Sequence, residues 1–289
     1  MSKEPIITQT EAVRAILTQL ENQSLPEEAH QRVLEAARLM NELERSVLTE
    51  GETLNRQVDE ARSAKNKFVS VVTHELRLPL TSIKGYTDLM RGGMVGPVTD
   101  QQKNFLNVIR NNVERMTALI SDLSDISHLE TGRMKLADKP TAVRMAVDEA
   151  LSPWQPKFDE KGITVVVDIP SDLPVLQTDT GRLVQVLGYL LSNALKYTPS
   201  GGKVTLRGVQ EGRMVRLEVV DTGIGISAED QKKLFQPFFR SEDEAVREYP
   251  GWGLALHLSK SLIEALRGQM GFVSALKAGS TFWLALPLP

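Results

Sequence analysis

At 289 residues the chain has the length of about two domains, and 41% hydrophobic with 25% charged residues is ordinary for a protein that buries a core. A net charge of −3 gives no electrostatic ground for nucleic acid or anionic lipid as a partner. The absence of cysteine excludes disulfides and thiolate chemistry; no apolar run approaches the roughly 20 residues of a membrane helix, and MSKEPIITQT is no secretion signal, so a soluble, cytoplasmic chain is expected.

Residues 1–66 are poor in glycine and mix acids with bases. Val33, Ala36, Met40, Leu43, Val47, Glu50 and Leu54 step by three and four, and Leu54, Val58, Ala61, Lys65 and Phe68 step by four and three. The two runs meet out of phase at Leu54, as a four-residue stutter does in a coiled coil, and Gly51 weakens the helix at the join. The expectation is a dimeric coiled-coil signal helix over 1–66, with an ordinary surface helix or hairpin as the plainer alternative. Nothing in this stretch reads as a folded sensor domain.

Residues 67–133 carry two amphipathic helical patterns. The first, from Phe68 to about Arg91, has apolar Val71, Val72, Leu76, Leu80, Ile83 and Leu89, which places Val71, Val72 and Leu76 inward and His74 toward water. Pro79 removes one backbone hydrogen bond and predicts a kink just after His74. The breaker GGMVGP (Gly92 to Pro97) precedes a second helix, from about Thr99 to Glu130. One such hairpin is too thin for a core, so two copies pairing into a four-helix bundle is the economical arrangement.

Residues 134–289 change character. Strand-like runs at Ile163–Ile169, Lys203–Val209, Met214–Val220 and Thr281–Leu286 are separated by helical segments near Ala142–Leu151, Thr180–Tyr197 and Leu254–Leu266. This pattern predicts an α+β sandwich with a hairpin at Gln210–Arg213. Neither a strand–GxGxxG–helix unit nor GxxxxGK[ST] is present, so a Rossmann or P-loop site is not supported.

Three groups of residues can carry chemistry. His74 lies beside Glu75; an imidazole accepts a phosphoryl group if one ring nitrogen attacks while a neighbouring carboxylate orients the ring and takes the proton of the other. Asn193 and Lys196 lie off the apolar face of their helix. The amide oxygen is a hard donor suited to Mg²⁺ and the ammonium suits a triphosphate, although taken alone both read as solvated residues. In DTGIGIS, Asp221 ends an apolar strand, and Gly223 and Gly225 let the backbone turn sharply and approach a flat ring. The aromatic run LFQPFFR reads first as core packing, with Phe235, Phe238 and Phe239 at the base of a lid. His30, His128 and His257 read as ordinary histidines.

Taken in order, these motifs resemble the transmitter of sensor histidine kinases of two-component systems. FVSVVTHELRLPL resembles the phosphoacceptor box commonly written around SHELRTPL, matching at Phe68, His74, Glu75, Leu76, Arg77, Pro79 and Leu80. NALKYT resembles the asparagine box, DTGIGIS the adenine-reading box of the GHKL ATPase superfamily, and PGWGLAL the final glycine box. The resemblance covers about residues 67–289 and implies a helical dimerisation and phosphotransfer domain over 67–133, a four-helix bundle as a homodimer, followed by an ATP-binding α+β sandwich of GHKL type over 134–289. It implies ATP and Mg²⁺ as cofactors, with Asn193 as the metal ligand. Lys196, Tyr197, Asp221, Gly223, Gly225, Arg240, Gly251 and Gly253 would hold the nucleotide, Asp221 reading the adenine, and Arg247 also lies within reach of a lid role. His74 would be the acceptor and Glu75 its base, and the phosphoryl group would pass to an aspartate of a separate response regulator. The chain departs from the pattern at Leu78, where threonine or asparagine is usual, at Tyr189, where a first asparagine usually stands, and at Pro250, Trp252 and Ala255. Those departures keep a degenerate pseudokinase scaffold in view. A non-signalling GHKL ATPase is opposed by the histidine box.

Overall fold

The structure is a computed structural model and describes residues 14–15, 18–20 and 26–289. Of the expected helical segment 1–66, residues 1–13, 16–17 and 21–25 lie outside the described residues. The chain divides into two compact units, residues 1–67 and 68–289.

Helix α1 spans Glu27–Arg91 and continues without interruption through Gly51 and through Pro79, so the expected kink does not break it. In the first unit Leu43, Val47, Leu54 and Val58 of the two stepped runs are exposed, and Arg38–Glu42 and Arg56–Glu60 form surface i,i+4 pairs. Surface pairs of this kind favour the helix by only a few tenths of a kcal/mol, about 0.3–0.5 each. An apolar stripe left in water is the energetically relevant feature here.

In the second unit α1 turns through Gly93 and Gly96, both with positive φ, into α2, Asp100–Glu130. Thr99 starts α2 with a capping box: its hydroxyl accepts from the Gln102 amide at 3.2 Å, and its own N–H donates to Gln102 Oε1 at 2.8 Å. The two helices close on Leu80, Val113 and Ile120, and Arg91 Nε donates to Asn107 Oδ1 at 2.8 Å near the turn. The buried positions of α1 here are Thr73, Leu80 and Thr87, seven residues apart. The expected inward set was different: Val71 and Leu76 are exposed, together with Leu78, Ile83 and Tyr86. One partner helix covers only a narrow heptad seam, so the rest of the wide apolar face stays uncovered in a single chain.

The remainder is a sandwich, as the alternation of elements predicts. A five-stranded sheet has the order β2 (Thr164–Asp168), β4 (Lys203–Glu211), β5 (Met214–Asp221), β7 (Ser280–Pro287) and β6 (Gln269–Ser274). Only β2 and β4 are parallel; β4 and β5 form the expected hairpin. Helices α3 (Val143–Leu151), α5 (Thr180–Tyr197) and α8 (Ala255–Ala265) form the second layer. The core between the layers includes Val186, Leu187, Leu190 and Leu191 of α5, Leu258 and Leu262 of α8, and Val215, Leu217 and Val219 of β5. Ile126 of α2 joins the same cluster, so the hairpin is packed against the sandwich.

The sequence pattern did not reveal β1 (Lys139–Thr141) and β3 (Leu176–Thr178), which pair as a separate two-stranded ribbon and are too short to show a period. It also missed α4 (Gln155–Lys161) and β6. Gly271 lies within β6, where the Trp283 ring of β7 occupies the space a side chain would take. Short helices α6 (Ala228–Gln231) and α7 (Glu244–Arg247) flank the segment that follows the DTGIGIS turn.

Candidate active site

The burial pattern of β5 alternates strictly, and its buried row Val215, Leu217, Val219 ends on Asp221. The carboxylate therefore points into the space between the layers, only 8% exposed. Its Oδ1 accepts from the Gly223 amide at 2.8 Å and the Ser280 amide at 3.2 Å. Burial raises its pKa, and the two amide hydrogen bonds oppose that shift. Oδ2 has no protein partner among the described residues, which leaves an acceptor for an amino group. The following turn requires glycine: Gly225 has φ +68°, and a side chain there would collide with the Ala275 carbonyl, while one at Gly223 would collide with the Tyr197 carbonyl. The backbone stays close because Ile224 N donates to Tyr197 O at 3.1 Å.

Asp221 lies at one side of a cavity of about 320 Å³ lined also by Asn193, Lys196, Tyr197, Gly225, Arg240, Gly251 and Gly253. Helix α5 supplies the opposite wall. Its apolar face is buried, and the stripe Arg182, Gln185, Tyr189, Asn193 and Lys196 runs along another face at steps of three and four. Among the described residues the Asn193 amide and the Lys196 ammonium make no hydrogen bond or ion pair. Burial, with the nearby Arg240 charge second, lowers the Lys196 pKa. Lys196 and Arg240 both line the cavity, and the ammonium without a protein partner among the described residues is a group that an anionic ligand can pair with.

The lid segment departs in part from its expected role. Phe235 does anchor the base, packed on Phe272 at 5.6 Å between centroids, with His257 Nδ1 3.1 Å from its carbonyl. Phe238 does not: it adopts φ 63°, its N–H donates to Gly253 O at 3.0 Å, and its ring is exposed. Gly253 is itself left-handed and packs against the Phe238–Phe239 backbone, whereas Gly251 has open space around it. Arg240 directs its guanidinium to lid carbonyls: to Gly251 O at 2.9 Å, Val246 O at 3.1 Å and Tyr249 O at 2.6 Å. Tyr249 meets Tyr197 edge-on at 5.8 Å, and Lys161 Nζ caps the end of α5 through the carbonyls of Leu195 and Lys196 while reaching the Tyr249 hydroxyl. Trp252 stands exposed at the cavity rim, and Arg247 pairs with Glu242 on the surface.

His74 lies on the hairpin with its side chain 70% exposed and Nδ1 3.3 Å from Glu75 Oε1. In the tautomer protonated on Nδ1 this contact is a hydrogen bond to the carboxylate, and Nε2 carries the lone pair.

One cluster was not foreseen. Asp122 and Asp125 of α2 face Arg182, Gln185 and Tyr189 of α5. Tyr189 donates its hydroxyl to Asp122 Oδ1; Arg182 Nη1 donates to Asp125 Oδ2 at 2.7 Å; Gln185 Nε2 donates to Asp125 Oδ2 at 3.0 Å and reaches the Tyr189 hydroxyl at 3.2 Å. Burial raises the Asp122 pKa, with the Asp125 charge adding to it and the Tyr189 bond opposing; burial and the Asp122 charge raise that of Tyr189. The acids stand three residues apart on α2 and their partners three and four apart on α5, but a sequence does not say which stripe meets which.

Comparison with known proteins agrees with this geometry. Residues 64–132 match the His Kinase A (phospho-acceptor) domain, and residues 178–289 match the histidine kinase-, DNA gyrase B- and HSP90-like ATPase family. The non-motile and phage-resistance protein of Caulobacter vibrioides is 33% identical over 96% of this chain and 33% of its own length. The circadian input-output histidine kinase CikA of Synechococcus elongatus is 35% identical over 78% of this chain and 30% of its own. Among solved structures, full-length ShkA in complex with AMPPNP superposes with a TM-score of 0.66 at 26% identity, over 76% of this chain and 45% of that one. The Acinetobacter baumannii histidine kinase AdeS superposes with a TM-score of 0.55 at 25% identity, over 74% of this chain and 98% of that one. The chain belongs to the sensor histidine kinases, joining their phosphoacceptor domain to their ATPase domain. It spans about a third of the length of the two curated relatives named. No helix among the described residues is long and apolar enough to cross a membrane.

Proposed function

We propose that this chain binds ATP between α5 and the Asp221 turn, phosphorylates His74, and passes the phosphoryl group to an aspartate of a response-regulator receiver domain. The observation that carries this reading is the cavity itself. A buried carboxylate with one free acceptor lies on one side, and an unpaired amide and an unpaired ammonium lie on the other. Asp221 Oδ2 accepts from the adenine amino group, Tyr197 walls the ring, and Lys196 offsets charge on the phosphates. Arg240 holds the lid closed and adds positive potential, while Gly223, Gly225 and Gly253 permit close backbone approach; Gly251 leaves room at the rim.

The residues present fit Mg²⁺ carried in by the nucleotide. Asn193 offers one neutral oxygen donor, and no group of three or more histidines or carboxylates among the described residues forms a cage of its own. When bound, the cation supplies charge neutralisation of the phosphates. At the hairpin, the Nε2 lone pair of His74 forms the new N–P bond as the bond from the γ-phosphorus to the β,γ-bridging oxygen breaks and ADP leaves. Glu75 takes the Nδ1 proton, so the phosphoramidate is left neutral at that nitrogen.

Two copies pairing through the uncovered face of the α1–α2 hairpin would complete its core, which supports a homodimer. ATP and a receiver domain are both available in the cytoplasm, where we place this reaction. The second reading, a nucleotide-binding scaffold without transfer, is favoured by Trp252 at the rim and by the engagement of Arg240 with lid carbonyls. Incubation with γ-labelled ATP and Mg²⁺ separates them. Acid-labile, base-stable label on the protein is expected, and binding without such label would establish the scaffold.

A further inference from the structure

We infer that Asp122, a residue of the hairpin, is a wall of the nucleotide cavity, and that its contact with Tyr189 makes docking of the hairpin on α5 and binding of triphosphate oppose each other. The inference rests on the reading of the cavity as a nucleotide site.

Three observations carry it. Asp122 lines the cavity although it belongs to α2, and Tyr189, which holds it, lines the cavity too, one turn before Asn193 on the same helix. The contact is reinforced from outside the cavity: Asp125 does not line it, yet it binds Arg182 and Gln185, with side-chain exposures of only 11% for Asp125 and 28% for Arg182. Among the described residues Asn193 and Lys196 form no side-chain bond to the hairpin, whereas Arg182, Gln185 and Tyr189 of the same helix grip α2 at Asp122 and Asp125.

A carboxylate at the phosphate end repels a metal-free triphosphate strongly and a Mg²⁺-bound one less, because the cation cancels two charges. Phosphates entering beside Asn193 and Lys196 therefore push Asp122 away and strain the Tyr189 bond. By linkage, whatever loosens the latch must tighten the nucleotide. Asp122 thus acts on specificity as well: it discriminates against nucleotide that arrives without its cation. The departure at Tyr189 gains a role from this, since a phenol reaches across to α2 and donates to the carboxylate while filling the position next to the metal-binding amide.

The test measures ATP binding to the full chain by calorimetry, with and without Mg²⁺, for Asp122→Asn, Tyr189→Phe and Asp125→Asn. Each should tighten Mg²⁺–ATP binding by about five-fold or more, the lower end of usual coupling. Asp122→Asn should in addition narrow the gap between metal-free and Mg²⁺-bound affinities, which Asp125→Asn should leave as it is. A merely structural defect would weaken both forms alike, so the ratio of the two affinities separates it from the latch. Because the chain has no cysteine, Arg115→Cys and Glu211→Cys can carry spin labels; their distance distribution should broaden or lengthen on adding a non-hydrolysable ATP analogue. Affinities that stay level or fall in Tyr189→Phe and Asp125→Asn, or a label distance indifferent to nucleotide, would overturn the inference while leaving the nucleotide site standing. No binding by any form, the unmodified chain included, would overturn the reading of the cavity and this inference with it.

Discussion

The hairpin Phe68–Glu130 and the sandwich it rests on handle burial in opposite ways. The hairpin closes on Leu80, Val113 and Ile120 and leaves Val71, Leu76, Ile83, Phe105, Val108 and Ile109 in water. The sandwich shares one continuous core between its helices and its sheet. Chemistry divides the same way. The hairpin presents His74, exposed beside Glu75, on a helix surface, while the sandwich fixes Asp221 through strand pairing and two backbone amides. On the proposed function, the reactive group therefore stands on a thinly packed pair of helices and the recognition surface on a continuous core.

The sharpest way to break the comparison is to remove the hairpin's nucleophile. His74→Gln should lower phosphohistidine formation by at least about 100-fold, since it removes the proposed attacking nitrogen, with ATP affinity unchanged. Label remaining at full level would place the acceptor elsewhere. The converse substitution is Gly225→Val. A β-branched residue at φ +68° against the Ala275 carbonyl should cost about 2–3 kcal/mol or more. Nucleotide binding and thermal stability of the sandwich should fall together, while crosslinking of the hairpin as a dimer persists. Loss of both regions at once would show that they fold as one.

A gentler substitution sharpens the hairpin side. Leu78 is 59% exposed, one turn after His74, and has neither donor nor acceptor with which to position water at a regulator's aspartyl phosphate. Phosphatase activity should be weak, and Leu78→Thr should raise it about three-fold or more without comparable loss of autophosphorylation. Rapid decay of a phosphorylated regulator with the unmodified chain, back-transfer being blocked, would refute this.

The smallest effect concerns Lys196. Its pKa is lowered from 10.5 by burial and Arg240, and a bound triphosphate favours the ammonium and raises it again. Between the lowered value and 10.5 the free site is partly neutral and the bound site charged. Binding there takes up a fraction of a proton and weakens as pH rises through the window. Calorimetry in buffers of different ionisation enthalpy reads that uptake; none in that window would place the amine away from the phosphates.

Much of this was legible in the residues, and the reasons differ by element. The strands β4, β5 and β7 and the helices α3, α5 and α8 were legible because each buries one set of side chains, and β2 because it is a run of three valines. Residues 139–141 and 176–178 show none at three residues each. On α1 the apolar count suggested a broad inward face, but only the seam Thr73, Leu80 and Thr87 closes within one chain. Residues of the asparagine and glycine motifs line the cavity, and they could be picked out because their chemistry is local in sequence; the histidine motif lies elsewhere, on the hairpin. Asp122 and Asp125 stayed hidden because their meaning comes from a helix about 60 residues further on.

The alternation in β5 that carries Asp221 inward has a wider consequence. Val215, Leu217, Val219 and Asp221 share one face, so a one-residue slip of this strand against β4 and β7 would bury Val220 and expel the carboxylate. On the proposed role of Asp221, adenine recognition is in that sense a parity check on sheet register. A chain that binds nucleotide reports, by that fact alone, that β5 has been laid down in frame.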